Sequence, residues 1–194
     1  MYKLISTILY VLTRMLNLLK VKGKENLPTH TRFVVTCSHK GWVDVIMLAL
    51  ALYPNPVHFM AKKELFNSKI TGGFLRSIHA FPVNRENPGP STLKIPLKLL
   101  REEKCVGIFP SGTRTTEEIP LKRGAVTIAL KGNALLVPAA YNGPTTFKDL
   151  LRGGKSTIMI GSPIKLKNDG RNRDEVIEKY LKRLNREIKL LENS

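Results

Sequence analysis

Over the first nineteen residues, polar positions recur at three- and four-residue steps: Lys3, Ser6, Thr7, Tyr10, Thr13, Arg14 and Asn17. Ile5, Ile8, Leu9, Leu12, Met15, Leu16 and Leu19 occupy the opposite stripe at the same spacing, which predicts an amphipathic helix. A spanning helix needs about 20 mainly apolar residues with few charges at mid-depth, so this pattern argues against a crossing. Lys20, Lys22 and Lys24 follow, with no acid before Glu25. Near an anionic leaflet each such charge adds about 1 kcal/mol to the burial of an apolar stripe. Interfacial binding is therefore expected ahead of simple packing on the domain, and the two are compatible. The expected organisation is an interfacial helix over 1–22 and one domain over 23–194.

Further along, short β-type runs alternate with helical ones. Thr31–Cys37, Val57–Ala61, His79–Asn84, Cys105–Phe109, Leu135–Ala140 and Ser156–Gly161 read as strands. Val43–Tyr53, Gly72–Ser77, Leu93–Glu103 and Gly124–Lys131 read as helices between them, and Arg173–Glu192 as a last amphipathic helix with a solvated outer face. Val45–Leu52 is apolar on every side and too short to span a bilayer, so a buried core helix is expected. Asn87-Pro88-Gly89-Pro90 is a turn-rich connection. The alternation predicts an α/β fold, a single domain with a mixed, largely parallel sheet flanked by helices. Pro138 inside a strand pattern predicts an edge or an irregular ladder.

Composition changes this picture in one respect. With 194 residues and 42% apolar positions the chain can bury a sizeable core, but 32 Lys and Arg against 15 Asp and Glu leave a net charge of +17. Such a surface implies an anionic partner: nucleic acid, an acidic membrane, or phosphorylated substrates and carriers. Nucleic acid is set aside, because aromatics are only 7% and are not interleaved with basic residues, and no recognition motif is present. Two cysteines, Cys37 and Cys105, exclude a disulfide framework and a four-cysteine zinc site. No secretory signal with a cleavage site is found, and the chain reads as intracellular.

Three polar segments follow strand patterns, where an α/β sheet builds its cleft. In Ser38-His39-Lys40-Gly41-Trp42-Val43-Asp44 a histidine and a carboxylate lie five residues apart. Histidine can remove a proton near neutral pH, and a carboxylate can fix its tautomer and stabilise its cation. On a regular helix positions five apart diverge by about 140°, so contact requires a turn, which Gly41 permits. In Ile108-Phe109-Pro110-Ser111-Gly112-Thr113-Arg114, backbone N–H groups near Gly112 and the Arg114 fork suit a phosphate or carboxylate. Phe81-Pro82-Val83-Asn84-Arg85 brings a further cation to a strand end. Gly154-Lys155-Ser156 is not a phosphate loop, since Asp149 stands where the first glycine belongs. Cys37 reads as a buried strand residue rather than a nucleophile. His30, His58 and His79 lack metal-ligand spacing, so no metal is expected.

Taken in order, these segments resemble the 1-acyl-glycerol-3-phosphate acyltransferases of membrane glycerolipid synthesis. The family's HxxxxD motif matches His39 and Asp44, its second motif Phe81 through Arg85, its third Phe109 through Arg114, and its fourth Val137-Pro138. Order and spacing agree from about Gly23 to Gly161, most of the chain. One departure is plain: Ser111 stands where the family usually has Glu, and a hydroxyl hydrogen-bonds without charge. The resemblance implies binding adjusted there rather than activity lost, because His39 and Asp44 remain. It implies His39 as general base on the sn-2 hydroxyl of lysophosphatidic acid, with Asp44 orienting it. Arg85, Ser111, Gly112, Thr113 and Arg114 would hold the phosphate; Lys62, Lys63, Lys122 and Arg123 receive no specific role. It also implies no cofactor, an acyl-CoA or acyl carrier protein thioester as donor, and an anionic phospholipid surface as partner, at the cytoplasmic face of the cell membrane. Two rivals remain at this level: an acyltransferase with another acceptor (glycerol 3-phosphate or another lysophospholipid), and a non-catalytic phospholipid-binding module.

Overall fold

The computed structural model describes residues 2–29, 31–39, 41–84, 91–109, 115–167, 170 and 172–194, the side chains of 2–5, 91 and 115–121 excepted. The elements run α1 Tyr2–Met15, β1 Leu19–Lys22, β2 Phe33–Cys37, α2 Trp42–Ala51, β3 Val57–Lys62, α3 Lys69–Ser77 and β4 Phe81–Val83. They continue with α4 Ser91–Arg101, β5 Cys105–Ile108, α5 Thr115–Lys131, β6 Leu135–Asn142, α6 Phe147–Leu151, β7 Ser156–Ile160 and α7 Arg173–Glu192.

The seven strands form one sheet in the order β1-β7-β6-β2-β5-β3-β4. Strands β2 to β6 are mutually parallel, and β7 runs antiparallel to β6 and carries β1 parallel to itself. This is the mixed, largely parallel α/β sheet expected. β2 reads Phe-Val-Val-Thr-Cys and is buried at all five positions, as a central parallel strand covered on both faces must be. α2, α3 and α6 cover one face, where Met47, Leu48, Leu75 and Leu150 enter the core. α4, α5 and α7 cover the other with Leu100, Val126, Ile177 and Leu184. The Arg123 guanidinium, on α5, pairs with Asp174 (2.7 Å) and Glu178 on α7 and ties those two helices together.

Several details refine or depart from the pattern; α5, for one, begins at Thr115, nine residues before the helix expected over Gly124–Lys131. β1 occupies Leu19–Lys22, a stretch with no strand expected. Its alternation is only four residues long and merges with the helical spacing before it; Leu19 is buried in the sheet core and Lys20 and Lys22 are exposed. α1 ends at Met15, before the boundary expected at 22; Asn17 takes a left-handed φ of 51° and the Leu18 N–H reaches the Thr13 carbonyl at 2.9 Å, closing the helix. α6 is a further helix, capped by Thr146 Oγ1, which accepts from the Asp149 N–H at 3.2 Å. Pro138 lies on an interior strand, and the irregular ladder is the form its expectation takes. β7 pairing stops at Ala139, so the side of Pro138 that lacks an N–H faces the gap between the end of β7 and the lone bridge at Ile164.

The N-terminal helix has the two stripes its spacing predicts, but their orientation is the reverse of a core-packing helix. The middle of the polar stripe, Thr7, Tyr10 and Thr13, faces the domain, while Arg14 and Asn17 at its end are exposed. Thr7 Oγ1 and the Tyr53 hydroxyl are 3.0 Å apart, Tyr10 stacks on Tyr53 at 4.7 Å, and Thr13 is buried with its hydroxyl donating to the Leu9 and Tyr10 carbonyls. Ile8, Leu9, Leu12, Met15 and Leu16 are exposed, Met15 at 77%. Among the described residues no helix is long and apolar enough to cross a membrane.

Candidate active site

The parallel strands β2, β3, β4, β5 and β6 all end at one edge of the sheet, and the chain leaves each of them there through a polar segment. β2 continues through Ser38, whose N–H donates to the Ala139 carbonyl (3.4 Å) and whose Oγ accepts from the Tyr141 N–H (3.1 Å). These two bonds extend the β2–β6 pairing by one residue and aim His39 from the strand end.

His39 Nδ1 lies 3.0 Å from Asp44 Oδ1 and 3.2 Å from Oδ2. As a carboxylate, Asp44 can only accept, so Nδ1 carries the proton and Nε2 is the basic nitrogen of the neutral ring. Asp44 is fully buried, whereas His39 keeps 30% of its side chain exposed. A buried carboxylate that accepts from an imidazole and from the Gly41 N–H (to Oδ2, 2.9 Å) is a satisfied one. Asp44 also sits in the first turn of α2, where a negative charge meets the helix N-terminal dipole. The ring of His39 rests against Phe109, centroids 4.9 Å apart, and Phe109 stacks on Phe59 at 5.7 Å. One side of the imidazole is therefore apolar and the Nδ1 edge is anchored.

Contact across five residues is possible because His39 precedes α2 instead of lying on it. Gly41 supplies this approach in a different way from the one expected. Its φ of 178° is ordinary extended backbone, but a Cβ there would lie 2.6 Å from the Thr145 carbonyl oxygen. The glycine is needed for space.

The segment carrying Thr145 is itself held from below. The Tyr141 hydroxyl donates to the Pro144 carbonyl at 2.7 Å and lies 3.0 Å from Ser156 Oγ. Burial, with a smaller contribution from the Asp44 charge, pushes the Tyr141 phenol above its usual range, so it stays protonated as a donor. Sequence reasoning gave Tyr141, Ser156 and Ser38 no role, since nothing in their spacing marks polar groups that come together only after β6 pairs with β2 and β7. Burial also raises the Cys105 thiol well above its usual range, and Cys37 is fully buried, so neither is a nucleophile. Among the described residues no cluster of three potential metal ligands occurs.

Of the residues singled out from sequence, His39 and Asp44 are brought together. Arg85, Ser111, Gly112, Thr113 and Arg114 lie outside the described residues. The strands that lead to them, β4 and β5, end on the His39 side of the sheet, with Phe109 already against the imidazole.

Comparison with known proteins identifies the family. A family model described as Acyltransferase matches residues 18–142. The chain is 57% identical over 164 residues to a 1-acyl-sn-glycerol-3-phosphate acyltransferase of Bacillus subtilis (strain 168), covering 84% of this chain and 82% of that one. It is 34% identical over 161 residues to the Streptococcus pneumoniae protein of the same description, covering 82% of this chain and 60% of the relative. A crystal structure of a 1-acyl-sn-glycerophosphate acyltransferase from Thermotoga maritima superposes with a TM-score of 0.67 at 20% identity, over 99% of this chain and 77% of that one. At that identity the likeness is one of fold.

Proposed function

The chain belongs to the acyltransferase family, and from that premise we propose that it transfers an acyl group from a thioester to the sn-2 hydroxyl of lysophosphatidic acid, giving phosphatidic acid. The observation that carries the reading is the buried Asp44 carboxylate holding Nδ1 of a partly exposed His39 at the cleft edge of the sheet. His39 Nε2 takes the hydroxyl proton as the acceptor oxygen attacks the thioester carbonyl, and Asp44 stabilises the imidazolium. The tetrahedral intermediate collapses with cleavage of the C–S bond, and the imidazolium returns its proton to the leaving thiolate. No side-chain nucleophile is required. The names of the relatives in Bacillus and Streptococcus support the acceptor.

Arg85 and Arg114, with Ser111, Gly112 and Thr113, are assigned to the acceptor phosphate, where guanidinium forks and backbone N–H groups suit a dianion. The net charge of +17 suits an anionic donor, acyl-CoA or an acidic acyl carrier protein. The outward apolar face of α1 favours peripheral attachment at the cytoplasmic face of the membrane, where the lipid acceptor lies.

The test is acyl transfer to lysophosphatidic acid from acyl-CoA and from acyl carrier protein thioesters, in wild type and His39→Ala. The expected result is turnover with at least one donor and a loss of about a thousandfold or more in the variant. Turnover with glycerol 3-phosphate or another lysophospholipid alone would change the acceptor. Equal turnover in His39→Ala would remove the base from the mechanism.

A further inference from the structure

A second apolar surface lies beside the His39 cleft, on elements far apart in sequence. α6 buries Leu150 and turns Phe147 and Leu151 outward at i and i+4, 47% and 83% exposed. Trp42 opens α2 immediately after Gly41 and is itself 49% exposed. The Thr145 carbonyl oxygen lies 2.6 Å from where a Gly41 Cβ would be, so the segment that leads into α6 abuts the segment that carries Trp42. Both stand at the edge of the sheet where β2 and β6 end, the edge from which His39 projects.

The rim of this surface is basic. Lys148, Arg152 and Lys155 are exposed, and the one acid of the segment, Asp149, is drawn into the cap, its Oδ2 accepting from Thr146 Oγ1 at 2.5 Å. The surface also continues toward α1. The Ser156 N–H, just past α6, donates to the Leu18 carbonyl at 2.8 Å, which brings the C-terminal end of α1, with exposed Met15 and Leu16, to the same corner. An aromatic ring, two apolar side chains and a ring of cations match the layered chemistry of an anionic bilayer: acyl chains below, phosphates at the level of the cations, indole at the interface.

We propose that α6 and Trp42 form a bilayer contact separate from α1, which seats the mouth of the His39 cleft against an anionic membrane so that a lipid acceptor enters without crossing water. The surface assignment stands on exposure and charge; its purpose rests on the acyl-transfer reading above. α1 holds the protein on the membrane, and α6 with Trp42 sets the orientation of the cleft.

Trp42 is the single tryptophan of the chain, so its emission reports this surface directly. Full-length protein is mixed with phosphatidylglycerol vesicles containing phosphatidylcholine brominated on its acyl chains. The expected result is a blue shift and loss of roughly half of the Trp42 emission. A Phe147→Ser plus Leu151→Ser variant should still co-sediment with the vesicles through α1 while its Trp42 quenching is largely lost. Turnover of vesicle-embedded lysophosphatidic acid should fall roughly tenfold in that variant, and turnover of a water-soluble short-chain acceptor should stay within about twofold. Both replaced side chains are exposed, and that retained turnover checks the fold. Emission unchanged by vesicles in the wild type, or equal quenching in the variant, overturns the proposal. A Trp42 shift produced by acyl carrier protein and not by vesicles overturns it in favour of a protein partner. Quenching as expected with no turnover of any acceptor would sink the acyl-transfer reading and leave the membrane surface standing.

Discussion

At the scale of single residues, the candidate site depends on close approaches more than on unusual backbone. His39 and Asp44 meet because His39 precedes α2, Gly41 enters the helix in an extended conformation, and the Thr145 carbonyl fits where Gly41 has no side chain. Gly41→Ala places a methyl group 2.6 Å from a backbone oxygen that Tyr141 holds through Pro144. The strain falls on the Gly41 N–H bond to Asp44, and through Asp44 on the imidazole. The expected outcome is a stability loss of about 1–3 kcal/mol with kcat reduced roughly tenfold to a hundredfold and KM for the acceptor changed little. Thermal melting together with steady-state kinetics on the purified variant measures both. A variant with wild-type kcat would show that the loop moves without disturbing the pair.

At the scale of elements, α1 is the part whose amphipathic pattern is used against habit. A surface helix ordinarily buries its apolar stripe, whereas here Thr7, Tyr10 and Thr13 face the domain and Leu12, Met15 and Leu16 face outward. The polar side is satisfied through Tyr53 and through the Lys24 ammonium, which lies 5.4 Å from the Tyr10 ring centre and donates to the Tyr53 carbonyl at 3.1 Å. Leu12→Ser combined with Met15→Ser should weaken co-sedimentation with anionic vesicles by roughly tenfold or more while leaving the melting temperature nearly unchanged, since both side chains are already exposed. Undiminished co-sedimentation would remove α1 from the attachment. Point substitutions are the sharper test than removal of residues 1–19, because Leu19 is 3% exposed and belongs to β1.

At the scale of the whole molecule, the end of the sheet opposite the cleft carries a pH-sensitive element of stability. The His58 and His79 rings lie tilted against each other there, centroids 5.1 Å apart, and His58 Nδ1 lies 3.2 Å from the Cys105 carbonyl. Burial lowers the pKa of both rings; the hydrogen bond to Cys105 offsets this in part for His58, and the nearby Lys104 charge adds to the lowering in both. A histidine whose folded pKa lies below its unfolded value favours the native state fully above the unfolded value. That stability is lost as pH falls through about 6.5, because the unfolded chain takes up protons first. Glu102, held below the usual carboxylate range by its hydrogen bond to Lys104, acts in the same direction at lower pH. The melting temperature should therefore decline between about pH 7 and 5, and His58→Gln with His79→Asn should flatten that decline, asparagine being chosen for the left-handed φ of 60° at position 79. Equal slopes in variant and wild type would place the dependence elsewhere.

What the amino-acid sequence determined by itself was what depends on residue type and spacing. The alternation of β-branched runs with helical ones implied the α/β sheet, the four segments from His39 to Pro138 in order pointed to the family, and the two stripes of α1 followed from helical periodicity. What only the tertiary structure decided was orientation and long-range contact. Periodicity defines two faces of a helix without saying which one meets the domain, so the outward turn of Leu12 and Met15 waited on Tyr53. A four-residue strand such as β1 has too few alternations to stand out, and it forms because β7 offers an edge. Ser38, Tyr141 and Ser156 carry no local signature: Ser38 Oγ accepts from the Tyr141 N–H 103 positions away once β6 pairs with β2, and the Tyr141 hydroxyl reaches Ser156 Oγ once β7 pairs with β6.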